Sequence, residues 1–346
     1  MESYNNSTGT LTHTETQMNN QKIKLIYIAG MWRSGGTFLG RILDCSDEII
    51  FVGNIKDFWR KGLKRNNKCS CGEGFKTCSF WQSVTKEYMN SFPSIDIEEL
   101  RKEFKQVEKW LSYFKLKEIV FNKKDNSLKP LLDKYLEHNE KLYEIVSNLS
   151  GKKIIVDSSR NTQRLLALSL LNKFQLYPIH IIRDPRGVIN TLINKDIRNY
   201  NEIRHNTILN LFHWNAKNYF SMKIIDRLST TRSVNILYKN FAAKPVTVIE
   251  GLKKMLNCKI NYELDNGKFS INLGTGHIFS GNRERHKSGK ITITEDTEWN
   301  EELSWLHKVL TSIISVPLFK YIVNKRKLET KSINIHSVGK HILMKS

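Results

Sequence analysis

The sequence predicts an α/β fold, a three-layer sandwich around a mainly parallel β-sheet. Short apolar runs that are typical of buried strands alternate with longer segments of helical periodicity. The first of these runs, residues 24–29, is separated by a glycine-containing turn from a predicted helix over residues 36–45. Because strands connected through helices pair in parallel with right-handed crossovers, this alternation favours one parallel sheet with helices on both faces.

The remaining elements follow in the same alternating order. Further strands are predicted at residues 48–52, 153–157, 179–182 and 233–238. Helices are predicted at residues 163–173, from Pro185 onward, at 206–228 and at 245–257. Residues 95–150 are charged and repeat Leu, Tyr and Phe at intervals of three and four residues, which predicts a helical insertion in the domain.

We expect one folded domain over residues 22–325 of the 346-residue chain. Residues 1–21, rich in Asn, Ser, Thr and Gln, predict a disordered tail, and residues 326–346 predict a basic C-terminal tail. No apolar run reaches the roughly 18 to 20 residues of a membrane-spanning helix, and residues 1–21 lack the apolar core of a secretory signal. The five cysteines, an odd number that fits reduced thiols, add to the expectation of a cytoplasmic protein.

The composition narrows the class of ligand. The chain has 55 Lys and Arg residues against 34 Asp and Glu residues, a net charge of +21. This excess favours an anionic ligand, a nucleic acid or an acidic membrane surface, and charge alone does not choose among them. The hydrophobic content of 40% excludes wholesale disorder.

The turn after the first strand has the composition of a P-loop-like phosphate-binding loop. Residues 30–37 are Gly-Met-Trp-Arg-Ser-Gly-Gly-Thr, nearly the spacing of a Walker A loop. Backbone N–H groups and the dipole of the following helix favour an anion there. The Walker pattern has Lys where this chain has Gly36, and the cation of the loop is Arg33 instead. The loop therefore predicts an anion site formed by Arg33, Ser34, Gly35, Gly36 and Thr37, without the main cation for ATP or GTP hydrolysis; taken alone, it could also be an ordinary glycine-rich turn.

Two segments resemble the sulfotransferase family. Arg33 to Thr37 resembles its 5′-phosphosulfate loop, usually Lys or Arg followed by Ser-Gly-Thr-Thr, with Gly36 in place of the first Thr. Arg183 follows a predicted strand, and Thr191 comes eight residues later, as do the Arg and Ser that clamp the 3′-phosphate in the family. An Arg–Asp pair that caps the next helix is a second role for the same segment.

A third block completes the resemblance, which runs from about residue 22 to 320 and leaves out the helical insertion. Residues 281–286, Gly-Asn-Arg-Glu-Arg-His, resemble the segment that folds over the nucleotide and would place Arg285 on the 3′-phosphate. The resemblance implies a sulfotransferase that uses 3′-phosphoadenosine 5′-phosphosulfate (PAPS) as co-substrate. It would sulfate a hydroxyl or amine of a glycan, lipid or small molecule without a metal, with Arg33 stabilising the departing phosphate.

The general base is less clearly marked. Tyrosylprotein and many bacterial members of the family have Glu after the second strand, where this chain has Asn54, and an amide cannot accept the proton. The candidates are Asp157, at the end of the middle strand, and Asp57, three residues after Asn54. An equally good alternative is that Asp157 organises loops by accepting hydrogen bonds.

Two other functions compete with this interpretation. A P-loop-like small-molecule kinase would need a lysine at Gly36, and a non-enzymatic nucleic-acid-binding protein would need a recognisable motif, which the sequence lacks. The acceptor and the oligomeric state stay open.

A cysteine-rich turn is the last motif of note. Cys69, Cys71 and Cys78 are spaced like part of a zinc site, but the turn has no obvious fourth ligand, because His205 and His213 are far away along the chain. A similar turn occurs in bacterial sulfotransferases, and we predict no metal site.

Overall fold

The computed structural model describes residues 22–195, 206–228, 232–265, 267–293 and 297–332. The predicted tail over residues 1–21 lies outside the described residues. Residues 326–332, assigned to the basic C-terminal tail, continue the last helix of the chain, and residues 333–346 are not among those described.

The main sheet has five parallel strands, which confirms the predicted mainly parallel sheet. Their order across the sheet is β2-β3-β1-β4-β5, so the first strand lies in the centre. The strands are β1 (Ile23–Ala29), β2 (Ile49–Phe51), β3 (Ile154–Asp157), β4 (Phe174–Ile182) and β5 (Val234–Leu237). Because all five run the same way, the carboxyl ends of β1, β3 and β4 meet at one edge, where open parallel sheets bind ligands.

Helices connect and cover these strands. In chain order they are α1 (Gly36–Leu43), α2 (Ser79–Ser91), α3 (Ile97–Glu108), α4 (Ser112–Asn122), α5 (Lys129–Ser150), α6 (Thr162–Leu168), α7 (Pro185–Asn190), α8 (Thr207–Leu228), α9 (Tyr238–Ala243), α10 (Pro245–Leu256), α11 (Trp299–Glu302), α12 (Trp305–Ile314) and α13 (Val316–Ser332). The helical insertion predicted for residues 95–150 corresponds to α3, α4 and α5.

The side chains of β1 show why the fold has three layers. Leu25 and Tyr27 belong to one hydrophobic core, which includes helices α2 to α6 and part of α8. Ile26 and Ile28 belong to a second core, which includes α1 and α10. All four side chains are fully buried. Both faces of the sheet are therefore covered, as the continuous apolar run of this strand predicts.

A second, antiparallel sheet was not predicted. Its strands are β6 (Glu263–Asp265), β7 (Lys268–Leu273) and β8 (Gly289–Thr292), with β7 in the middle. All three residues of β6 and most of β8 are exposed, so neither strand shows the apolar alternation that marks a half-buried strand.

The C-terminal helices α12 and α13 bend by 52° at their junction. Within the described ranges, no single helix is long and apolar enough to cross a membrane, although this bent pair would pass by combined length and composition. Arg326 of α13 is buried and donates to Asp226 of α8 at 2.6 Å, which anchors the last helix to the domain.

Candidate active site at the sheet edge

The loop between β1 and α1 has the backbone of a tight anion-binding turn. Gly30, Arg33 and Gly35 all have positive φ angles, of 113°, 66° and 91°. A Cβ at Gly30 would lie 2.4 Å from the carbonyl oxygen of Ile181, and one at Gly35 would lie 2.6 Å from the ring of Tyr238. Glycine is thus required at both positions, by conformation and by space. The loop presses closely against β4 and the start of α9.

Two hydroxyl groups of the loop are buried under it. Ser34 and Thr37 are both fully buried. The Oγ1 of Thr37 accepts a hydrogen bond from Nη2 of Arg160 at 2.8 Å, whereas the Oγ of Ser34 has no partner among the described residues. A buried hydroxyl without a partner is costly, and a phosphate or sulfate oxygen in the loop would satisfy it.

Positive charge is concentrated around the loop. Burial, and then the positive charge of Arg33, lower the pKa of Arg160 to about 10. Burial also lowers the pKa of Arg183, and the charge of Arg33 lowers it further. Arg33 therefore lies within electrostatic range of both other guanidinium groups. Like charges brought together in a buried place favour an anionic ligand between them.

The structure brings Arg183 and Thr191 together as the sequence predicts. Nη1 of Arg183 donates to Oγ1 of Thr191 at 3.1 Å and to the backbone oxygen of Arg33 at 2.6 Å. The capping role is present as well, since Asp184 accepts a hydrogen bond from the backbone N–H of Arg186 at the start of α7. Arg183 thus joins the phosphate loop to α7, and its role on a 3′-phosphate stays a prediction.

Arg285 lies on a 3₁₀ turn, Arg283–His286, near the start of α1. Its Nη1 donates to the backbone oxygen of Gly281 at 2.8 Å. Gly281 lies against Thr37, because a Cβ added at Gly281 would be 3.5 Å from the side chain of Thr37. Its Nε is buried and has no partner in the part of the chain that the structure describes. The turn thus packs against α1, and the residue that precedes it by two, Gly281, lies beside Thr37.

Asp157 has the surroundings of a structural residue, so the loop-organising alternative is favoured over a role as general base. Its side chain is fully buried and accepts hydrogen bonds from the hydroxyl of Tyr143 at 2.7 Å and from the backbone N–H of Ser159 at 2.8 Å. Nε of Arg164, also fully buried, lies 3.1 Å away. A carboxylate held on all sides by donors has no free approach for an acceptor hydroxyl.

Asp57 is also unsuited to act as a base. Burial raises its pKa, but the charges of Lys61 and Lys56 and hydrogen bonds from Arg60 and Lys61 outweigh that effect and hold the pKa well below its usual range. Its Oδ2 accepts from Ser280 at 2.6 Å. Asp57 thus links the turn after β2 to the segment that leads to Arg285.

Comparison with known proteins identifies the family. The model of the sulfotransferase family matches residues 26–262. The chain belongs to the sulfotransferase family. The match includes the phosphate loop, Arg183 and Thr191, and it ends before Arg285.

Solved structures that are similar to this chain include three sulfotransferases. The sulfotransferase domain of the Synechococcus PCC 7002 olefin synthase is 14% identical, with 85% of this chain and 96% of that chain covered and a TM-score of 0.44. Sulfotransferase STF9 from Mycobacterium avium is 13% identical, with 72% and 67% covered and a TM-score of 0.41. The sulfotransferase domain from the curacin biosynthetic pathway is 16% identical, with 84% and 96% covered and a TM-score of 0.39. No curated protein sequence matches the chain significantly.

Two residues beside the phosphate loop, Arg160 and Lys217, were not predicted from the sequence as site residues. Arg160, three residues after the end of β3, was given no role from the sequence. Lys217 of α8 donates from Nζ to the backbone oxygen of Arg160 at 2.9 Å and lies 5.1 Å from the ring centroid of Trp32 in the phosphate loop. Burial, followed by the charges of Lys56 and Arg160, lowers the pKa of Lys217 to about 7. Nothing in the sequence of α8 distinguishes this lysine from a solvent-facing one.

Proposed function

We propose that this sulfotransferase transfers the sulfuryl group of PAPS to a hydroxyl or amine acceptor. The observation that carries the proposal is the double contact of Arg183, which donates to the backbone of Arg33 and to the hydroxyl of Thr191. One side chain thereby connects the loop suited to the 5′-phosphosulfate with the pair suited to the 3′-phosphate. Two linked anion sites fit a donor with phosphate groups at both ends of its ribose.

The residues present fit this donor. The 5′-phosphosulfate would be held by the backbone of the phosphate loop, by Arg33 and by the unpartnered hydroxyl of Ser34. The 3′-phosphate would be held by Arg183 and Thr191, because a guanidinium grips a phosphate with paired hydrogen bonds and a hydroxyl adds another. Arg285 would reach the site from the turn that packs against α1.

Catalysis would rest on positioned cations. In sulfuryl transfer, as in phosphoryl transfer, an in-line displacement spreads negative charge over the peripheral oxygens and the leaving phosphate. Arg33, inside the loop, and Arg160, beside it, would stabilise that charge, with the loop N–H groups as fixed dipoles. Lys217, with a pKa near 7 in the free protein, would become protonated when the anionic donor binds and would add a further positive charge.

The lack of a free base among these residues bears on the kind of acceptor. Asp157 and Asp57 are engaged in ion pairs, and a protonated Lys217 cannot accept a proton. The two carboxylates considered for the base therefore offer none. This favours an amine acceptor, whose nitrogen attacks through its lone pair and releases its proton to water once the N–S bond has formed and the PAP leaving group has departed. A cytoplasmic location and a glycan, lipid or small-molecule acceptor remain parts of this proposal.

Calorimetric titration with 3′-phosphoadenosine 5′-phosphate (PAP), without metal, tests the donor site. We expect binding that is selective over ATP and weakened in Arg33→Ala and Arg183→Ala. Absence of PAP binding, or a preference for ATP with magnesium, would overturn the proposal and favour the kinase alternative.

A further inference from the structure

Three cysteines and one histidine converge in the structure. The ligand atoms of Cys69, Cys71, Cys78 and His277 all lie within 4.8 Å of one another. Sγ of Cys78 and Nδ1 of His277 are 3.3 Å apart, and the three cysteines are free thiols. The fourth ligand that the sequence did not reveal is thus His277, 199 residues from Cys78 along the chain. His205 lies outside the described residues, and His213 packs edge-on against Trp32.

We infer that these four residues bind one structural zinc ion. Three thiolates and one imidazole form a complete ligand set for tetrahedral zinc, with no position left open for a substrate. Zinc bonds of about 2.3 Å to sulfur and about 2.0 Å to nitrogen place neighbouring ligand atoms about 3.5 to 3.8 Å apart, so the widest pair would close by about 1 Å. Changes of side-chain torsion are sufficient for a movement of that size.

The backbone already holds the two segments of the site together. The N–H of Ser70 donates to the backbone oxygen of Ile278 at 3.0 Å, and the N–H of Ile278 donates to Oγ of Ser70 at 2.8 Å. This reciprocal pair places Cys69 and Cys71 on either side of Ser70 next to His277. The turn is closed by the N–H of Gly72, which has a φ of 102° and donates to the backbone oxygen of Cys69 at 3.1 Å.

Cys78 is held by a backbone hydrogen bond, and His277 is held by aromatic neighbours. Cys78 immediately precedes α2, and its N–H donates to the backbone oxygen of Gly74 at 2.8 Å. The ring of Phe80 stacks on that of His277 with centroids 5.2 Å apart and an interplanar angle of 19°. The indole N–H of Trp81 donates to the backbone oxygen of His277 at 2.8 Å. The imidazole is therefore oriented toward the thiols by its surroundings, as metal-binding histidines are.

The charge of the site fits its environment. Zinc with three thiolates and a neutral imidazole has a net charge of about −1. The guanidinium of Arg285 lies close enough to Cys69 to interact with it electrostatically. The zinc site would hold residues 276–278 against the turn over residues 69–72 and would thereby fix the start of the segment that carries Arg285.

The test is metal analysis of the full chain purified from zinc-supplemented medium under reducing conditions. We expect one zinc per chain, and after exchange with cobalt the intense visible absorption of tetrahedral thiolate coordination. His277→Ala and Cys71→Ser should lower the affinity for cobalt more than about tenfold, since even the loss of an outer-shell partner costs 10- to 100-fold. Cys258→Ser is the matched control, because Cys258 is a half-buried free thiol outside the cluster, and it should bind metal like the wild type.

Several outcomes would overturn the inference. One is folded, reduced wild type that contains no zinc and takes up no cobalt. Another is a disulfide between two of the three cysteines, found by mass spectrometry without reduction in protein that binds PAP normally. Cobalt titration of the wild type gives a result even if a variant fails to fold. Because metal content is measured without nucleotide, failure here is distinct from failure of the proposed sulfuryl transfer.

Discussion

Arg160 donates a hydrogen bond from Nη2 to Oγ1 of Thr37 at 2.8 Å, which joins the loop after β3 to the first turn of α1. The Nε of the same guanidinium lies 3.3 Å from the position that a Cβ at Gly36 would take. The glycine that replaces a family threonine therefore makes room for a cation. What looks in the sequence like a lost hydroxyl contact is, in the structure, an exchange of a hydroxyl for a guanidinium beside the loop.

Restoring the family residue should therefore harm this protein. In Gly36→Thr the new Cβ would lie 2.9 Å from Cγ2 of Ile28 and would crowd Arg160. We expect a loss of about 1–3 kcal/mol in the free energy of unfolding, as for other overpacked cores, together with weaker PAP binding. Urea denaturation and calorimetry measure the two effects.

A matched control is Gly274→Thr, where an added Cβ meets nothing within 4 Å. It should leave both quantities close to those of the wild type. If Gly36→Thr were as stable as the wild type and bound PAP more tightly, the space would not be reserved for Arg160.

Local patterns in the sequence predicted the parts of the site that depend on neighbours along the chain. The apolar run of β1, the glycines of the loop and the eight-residue spacing from Arg183 to Thr191 each lie within one short segment, and the structure places them as expected. Parallel pairing of the strands followed from the same alternation, whereas their order across the sheet is seen only in the structure.

The remaining features depend on contacts between distant segments. Lys217 of α8 lies near Trp32, which follows β1. His277 lies near Cys78, from which it is separated by 199 residues along the chain. The charge on Asp157 is satisfied by Arg164 and Tyr143 inside the fold. No spacing rule encodes such meetings, since tertiary packing alone decides which side chain fills a given space.

Removal of the Arg183 side chain should weaken PAP binding by about 10- to 100-fold, because hydrogen bonds to charged groups contribute about 1.5–3 kcal/mol. Thr191→Val, which removes a neutral hydroxyl, should cost less, about 3- to 10-fold. Arg186→Ala is the matched control in the first turn of α7, which follows Arg183, since Arg186 pairs with Asp184 and lies over the ring of Trp299. Calorimetry should find its affinity within about twofold of the wild type; an equal loss in Arg186→Ala and Arg183→Ala would indicate a general disturbance of α7.

PAP affinity should depend on pH through Lys217. The pKa of this lysine in the free protein is about 7, and a bound anion raises it, so binding takes up a proton above pH 7. The contribution of Lys217 to the affinity should be constant below about pH 7 and decline as the pH rises above that value, up to the pKa of the complex. The charges facing Lys217 are those of Lys56 and Arg160, and burial, followed by the charge of Lys217, lowers the pKa of His213.

Calorimetry at pH 8 in buffers of different ionisation enthalpy measures the proton uptake directly. Lys217→Met should abolish most of it, whereas Lys223→Met, on the same helix and over the ring of Tyr219, should not. Proton uptake that persists unchanged in Lys217→Met would assign the titration to another group.

Asp157→Asn separates a structural carboxylate from a catalytic one. The amide keeps the shape of the side chain but removes the nearer opposite charge of the fully buried Arg164 guanidinium, which keeps only Glu108 at 3.9 Å. Breaking a buried ion pair in this way costs about 3–5 kcal/mol, so the urea midpoint should fall steeply. Asp133→Asn, which affects only an exposed pair with Lys129, should change the free energy of unfolding by less than about 0.5 kcal/mol.

If Asp157 were the catalytic base, Asp157→Asn would have the opposite effects: stability would be nearly unchanged and sulfuryl transfer would be lost. Because the Asp157–Arg164 pair is fully buried and is not part of the phosphate loop, the fraction of Asp157→Asn that remains folded should still bind PAP.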